Sequence, residues 1–177
     1  MTWLNYLAYG SNLHPQRLME RVPSAELVST LTLTGYRLSF HKRGQDNSGK
    51  CNLFLTQDQN DQVHCALYRM AIDHKPLLDQ FEGLGYRDTE IQVQHNDELI
   101  QCFVYIAESN YIDDSLKPYS WYKDIVLLGG EYHGLPEAYL GRIHQLASSN
   151  DPDSQRRDTH QDLIVRLRRA NQVLKCD

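Results

Sequence analysis

The 177-residue sequence has no apolar run long enough to cross a bilayer as a helix. It has no excess of positive charge either. Eighteen Lys and Arg stand against 23 Asp and Glu, a formal net charge of −5, so there is no overall basic footprint for nucleic acid. The four cysteines, at positions 51, 65, 102 and 176, contain no Cys-x-x-Cys. The eight histidines contain no His-x-x-x-His and no His-Glu-x-x-His, so no metal site is expected. No Gly-x-Ser-x-Gly elbow marks an activated serine. There is no internal repeat and no low-complexity segment. Met1-Thr2-Trp3 leads straight into a strand pattern, without the basic and apolar regions of a secretory signal. A reducing cytoplasm is the expected setting. Three of the cysteines read there as small buried apolar residues rather than disulfide partners.

What is present suits one globular domain: 41% of residues are apolar and 23% charged. Eleven tyrosines against two tryptophans would suit a pocket with apolar walls and polar tips. The stretch Leu4-Asn5-Tyr6-Leu7-Ala8-Tyr9-Gly10-Ser11-Asn12-Leu13 organises the rest. Leu4, Tyr6 and Ala8 alternate with Leu7 and Tyr9 as in a short strand. Gly10 permits the backbone angles of a sharp turn, Ser11 and Asn12 are turn and cap residues, and Pro15 opens a helix through Arg17, Leu18 and Met19. Such a loop aims backbone N–H groups at one point, a ready site for an anion or a developing oxyanion.

Strand patterns follow over Ala25–Thr34, Gly35–His41, Cys51–Thr56 and Val63–Met70. Asp73 is the expected N-cap of a helix through Leu77, Leu78 and Phe81, stopped by Gly83. Thr89–Gln94 and Leu99–Ala107 flank a His95-Asn96-Asp97 turn and read as a hairpin. A helix is expected from Trp121 to about Leu128, ended by Gly129-Gly130. Gly134-Leu135-Pro136 then opens another, with Tyr139, Ile143 and Leu146 on one face. Residues 1–148 form the expected main domain. Residues 149–177 form a polar linker and a helix whose stripe, Leu163, Leu167, Ala170 and Leu174, packs on that domain with a basic face outward. The fold class is α+β: a small mixed β-barrel with flanking helices rather than a dinucleotide-binding sheet.

Gly44, Gly49 and Lys50 have P-loop spacing, but Cys51 replaces the magnesium-binding Ser or Thr and a strand follows, so a nucleotide loop is refused. The loop is a hairpin connection whose neighbours His41, Lys42, Arg43 and Lys50 could reach an anion. Ser11, lacking a His partner, is a cap or hydrogen-bond donor rather than a nucleophile. Glu82, in Leu78-Asp79-Gln80-Phe81-Glu82-Gly83, is the carboxylate to single out. A helix C-terminus and apolar company from Phe81 and Leu84 would both raise its pKa, as a general acid/base near neutral pH requires.

Four motifs occur together in one order: Tyr9-Gly10-Ser11-Asn12-Leu13, Leu78-Asp79-x-x-Glu82-Gly83, Tyr122-Lys123 and Gly134-Leu135-Pro136. The set, with Pro23-Ser24-Ala25 and Ile100-x-Cys102-x-x-Tyr105, resembles the γ-glutamylcyclotransferase family of the AIG2-like superfamily over about residues 4–146. The resemblance implies a cofactor-independent, metal-free enzyme that releases 5-oxoproline from a small-molecule γ-glutamyl substrate; the net charge and the lack of a long apolar run add the expectation of no nucleic-acid and no membrane partner. It implies Glu82 as catalytic acid/base. Tyr6, Leu7, Ala8, Tyr9, Gly10, Ser11 and Asn12 match its substrate-binding strand end and loop, and Tyr86 and Tyr122 its pocket tyrosines. The loop from His41 to Cys51, the Pro118–Trp121 segment and the tail beyond Ser148 are not matched.

The chemistry suits these residues. The substrate's α-amine attacks its own γ-carbonyl, so the enzyme folds one molecule into a near-attack shape. Glu82 takes the ammonium proton and hands it to the departing amine. The Gly10–Ser11 amides serve either the oxyanion or the α-carboxylate. Dipeptides, γ-glutamyl amines and biosynthetic γ-glutamyl intermediates are all open as substrates. Two non-enzymatic readings stand beside these: a module binding a small acidic metabolite, and a partner-binding domain using the basic C-terminal helix.

Overall fold

The computed structural model describes residues 2–174, so Met1 and Cys176 lie outside it. The elements run β1 (Trp3–Ala8), α1 (Pro15–Arg21), β2 (Glu26–Thr34), β3 (Tyr36–Arg43), β4 (Gly49–Leu55), β5 (Gln62–Ala71), α2 (Lys75–Glu82), β6 (Tyr86–His95), β7 (Glu98–Ala107), α3 (Ser120–Tyr132), α4 (Glu137–Gln145) and α5 (Ser154–Leu174). Five strands form one sheet in the order β2-β5-β1-β7-β6, and β3-β4 is a separate hairpin. Only β1 and β7 run parallel; the other neighbours are antiparallel. Among the described residues no helix is long and apolar enough to cross a membrane.

The mixed α+β class is as expected, but the barrel is open. A closed barrel needs a backbone ladder between its end strands. Here β2 and β6 end the sheet unpaired, and they meet through a side-chain contact, Ser29 Oγ to His95 Nδ1 at 3.3 Å. Strand β5 lies inside the sheet. Its Val63, Cys65, Ala66, Leu67, Tyr68 and Met70 are all enclosed, so both faces of the strand are buried rather than one. The β6–β7 hairpin turns at Asn96 and Asp97, both at positive φ (49° and 64°), the geometry of a type I′ turn.

Several local expectations are corrected. Helix α1 is capped by His14, whose Nδ1 accepts from the Gln16 amide at 3.2 Å, not by Ser11 or Asn12. Asp73 caps nothing; it sits in a 3-10 turn over Ile72–His74, and α2 starts at Lys75. Gly83 does end α2, at φ 67°. Gly129 and Gly130 do not end α3, which runs on to Tyr132. Their missing side chains are filled by neighbours instead. A Cβ on Gly129 would stand 2.6 Å from Leu13 Cβ, and one on Gly130 2.5 Å from Leu140 Cδ2. Leu146 and Leu174 are exposed rather than packed.

Helix α5 docks on α3 through Leu163, Ile164 and Leu167, all buried. Asn171 finishes the seam, donating to Leu128 O at 3.0 Å and meeting His14 Nε2 at 3.1 Å. The segment before α5 is pinned, not loose. Asp151 is fully enclosed, and its carboxylate accepts from Trp121 Nε1 at 2.9 Å and from both arms of Arg156 at 2.6 and 2.5 Å.

Candidate active site

The chain leaves β1 at Ala8 and turns through Tyr9, Gly10 and Ser11 before α1. Gly10 is needed for space and not for its backbone angles. A Cβ there would meet Cys51 Cβ at 2.8 Å and Cys51 Sγ at 3.1 Å, and Gly10 has no positive φ. Strand β4 therefore presses directly on the turn.

Glu82 is the last residue of α2. Leu78, fully buried, fixes that helix to the core. Asp79 ties it to β7 by accepting from the Tyr105 hydroxyl, and Lys75 bridges Asp79 at 2.8 Å and Asp88 at 3.1 Å. The carboxylate of Glu82 accepts from Asn12 Nδ2 at 2.7 Å, and Arg21 donates to Asn12 Oδ1 at 2.9 Å. Burial pushes the Glu82 pKa up, while Arg21, Asn12, Arg17 and Lys42 pull against it. The expected cause was half right. Phe81 and Leu84 are 54% and 70% exposed, so they supply little of the apolar company. Tyrosines from four other elements supply it.

Two connected spaces meet at Glu82. The inner one is lined by Tyr6, Tyr9, Gly10, Ser11, Asn12, Cys51, Tyr86, Tyr105 and Tyr122. At about 20 Å³ it holds little, so the bulk of a ligand rests in the outer cleft of about 550 Å³. Ser11, Glu82, Tyr86 and Tyr122 line both. The phenols are locked. Tyr9 donates to Tyr105 O at 2.6 Å, Tyr86 donates to Cys51 O, and Tyr122 accepts from the Cys51 amide at 3.2 Å. Burial raises the pKa of Tyr6, Tyr9, Tyr86 and Tyr122 well above the ordinary phenol value, so all four are neutral dipoles at pH 7.

Of the residues singled out from sequence, Tyr6, Tyr9, Gly10, Ser11, Asn12, Glu82, Tyr86 and Tyr122 come together here. Leu7 and Ala8 do not line either space; both are enclosed in the core. Sequence reasoning missed Tyr105 and Cys51 as pocket walls. Cys51 is an inert one: burial pushes its thiol up to about 12. The basic loop splits. Lys42 and Lys50 line the outer cleft, whereas His41 faces Asp114 and Arg43 faces Asp113. Arg17, Arg21, Trp121, Arg156 and His160 also line that cleft. Only their clustering in space identifies them. Among the described residues no three His, Cys, Asp or Glu side chains converge as metal ligands would.

The family model described as the AIG2-like family matches residues 62–143. A γ-glutamylcyclotransferase of Homo sapiens is 30% identical over 147 residues, 78% of this chain and 76% of that protein. One of Mus musculus is 29% identical over 168 residues, 90% of this chain and 86% of its own. A solved structure described as a gamma-glutamyl cyclotransferase shares the fold, with TM-score 0.78 at 24% identity over 93% of this chain and 99% of that one. Coverage that wide reaches into α5, so the likeness does not stop at Leu146.

Proposed function

This chain belongs to the γ-glutamylcyclotransferase family, and on that footing we propose that it converts γ-glutamyl dipeptides or amides into 5-oxoproline and a free amine or amino acid. The observation that carries the reading is the setting of Glu82. It stands where a tyrosine-walled recess meets a cleft, held by Asn12, with burial raising its pKa above the ordinary carboxylate value. A fully solvated glutamate would be too weak a base for an ammonium group; a half-buried one is better matched.

The γ-glutamyl arm folds against Tyr6, Tyr9, Tyr86 and Tyr122 so that its α-nitrogen approaches its own γ-carbonyl carbon. Ionised Glu82 accepts a proton from the α-ammonium. The freed amine attacks, the new C–N bond closes the five-membered ring, and the carbonyl oxygen becomes an oxyanion. The oxyanion collapses back to a carbonyl as the old C–N bond breaks; Glu82 returns its proton to the departing nitrogen, and the second proton shed by the new ring nitrogen passes to the same group, which leaves as an ammonium. No water is consumed. The phenols, neutral and fixed, exclude solvent, which strengthens every polar contact within. Gly10 and Ser11 form the wall on which the charged atoms of the γ-glutamyl group rest. The enclosed, unpaired thiols of Cys51, Cys65 and Cys102 suit a reducing cytoplasm as its setting.

The test is 5-oxoproline release from γ-glutamyl-alanine by wild type and by Glu82→Gln. Gln keeps the shape and cannot shuttle a proton. Wild type releases product, and the folded variant loses at least about a hundredfold in rate. Undiminished activity in the variant would move the acid/base elsewhere.

A further inference from the structure

A γ-glutamyl group carries one carboxylate and one ammonium, so it is neutral overall. The cleft beyond it is not. Arg17, Arg21, Lys42, Lys50 and Arg156 line that cleft against Asp46 and Glu82. Two of these cations are matched already: Lys50 pairs with Asp46 at 2.7 Å, and Arg156 with Asp151 at 2.5 Å. Arg17, Arg21 and Lys42 have no carboxylate within 4.0 Å among the described residues. Arg21 and Lys42 at least hold neutral oxygens, Asn12 Oδ1 and Leu84 O.

Arg17 is the exception. The residue is 7% exposed, its Nε is enclosed without a hydrogen-bond partner, and it lines the cleft. A guanidinium buried without a counter-ion is costly, and an arriving anion offsets that cost. Burial and the neighbouring Arg21 together drag its pKa down to about 9. Arg21 follows four residues later on the same helix face, where like charges repel until an anion lies between them. Across the cleft wall, His160 stacks on Trp121 with ring centroids 3.6 Å apart and 13° between planes. The stack makes a flat side to the same space, and the ring is neutral at pH 7 because burial lowers its pKa to about 4.

We propose that Arg17, with Arg21 and the Trp121–His160 stack, forms an anion subsite for the leaving half of the substrate. The preferred leaving group is an amino acid with two carboxylates, glutamate or aspartate. The inference rests on the cyclotransferase reading and adds the identity of the leaving half. Three unmatched cations, less Glu82 when ionised, leave two charges to neutralise, and an acidic amino acid brings two. A guanidinium fork is the natural partner of a carboxylate. Helix α5, through His160, thereby supplies one wall of the substrate site.

The experiment compares kcat/KM for γ-glutamyl-alanine amide, γ-glutamyl-alanine and γ-glutamyl-glutamate, whose leaving halves carry zero, one and two carboxylates. Wild type ranks them in that order, with γ-glutamyl-glutamate about tenfold above γ-glutamyl-alanine. In Arg17→Gln that ratio falls to about one. His160→Glu, at the cleft rim, sets a negative charge against the leaving half and lowers the same ratio, so the inference stays testable if Arg17→Gln does not fold. Equal rates on all three substrates in wild type overturn the subsite and leave the cyclotransferase reading standing. So does a ratio that neither folded variant changes. Release from none of the three overturns the cyclotransferase reading and the subsite with it.

Discussion

Asn12 donates its side-chain N–H to Glu82 Oε1 over 2.7 Å, and its direction is not free. Arg21 occupies the amide oxygen at 2.9 Å, which leaves only the NH₂ to face the carboxylate. A neutral amide thus sets an arginine and a half-buried glutamate in a fixed line.

Asn12→Ala removes a donor that favours the charged form of Glu82. The Glu82 pKa, already raised, rises further, so the acid limb of the kcat/KM profile moves to higher pH. The rate at neutral pH falls about tenfold to a hundredfold. A pH–rate profile reads both; a lower rate with an unmoved limb would reduce Asn12 to a packing role.

Glu82 also makes stability depend on pH. Its folded-state pKa lies above the ordinary 4.5, so the folded protein binds the proton more tightly than the unfolded chain. Its contribution is fully present below the unfolded pKa and is lost as pH rises through the folded one. Glu82→Gln is therefore the more stable protein at pH 8, and its advantage shrinks toward pH 4. Urea midpoints across that range test the sign.

Gly10→Ala drives a Cβ into Cys51, whose own Cβ would be 2.8 Å away. The backbone turn or strand β4 must shift, which costs about 1–3 kcal/mol and displaces the pocket wall. Cys51→Gly in the same chain removes the colliding atoms. The double variant recovers activity that Gly10→Ala loses, and a double-mutant cycle yields a coupling well above zero.

Asp151→Ala leaves Trp121 Nε1 and the Arg156 guanidinium without their shared acceptor. Losing hydrogen bonds to an enclosed carboxylate costs about 2 kcal/mol, a fall in Tm of roughly 6 °C for a chain this size. Trp121 lines the cleft, so activity falls alongside. Thermal melts beside the 5-oxoproline assay separate the two effects.

Much of this was readable from the chain. The strand positions, the Asn96-Asp97 turn and the stop at Gly83 are written in neighbouring residues, and each held. Glu82 was readable because helix end and sequence motif coincide there. Local signals failed where a distant neighbour decides. Gly129-Gly130 reads as a helix end, yet Leu13 and Leu140 fill the space and the helix continues. Phe81 and Leu84 read as apolar cover for Glu82, yet the cover comes from Tyr6, Tyr9, Tyr86, Tyr105 and Tyr122.

The sequence by itself determined the α+β class, the order of the elements and the family. Those rest on periodicity, turn chemistry and motifs a few residues long. The tertiary structure alone decided that the sheet stays open, that Gly10 answers to Cys51, and that Arg17 and His160 share one cleft 143 positions apart in the chain. Burial and electrostatic fields depend on distance through space, and a pattern along the chain carries no record of that distance until the core has packed.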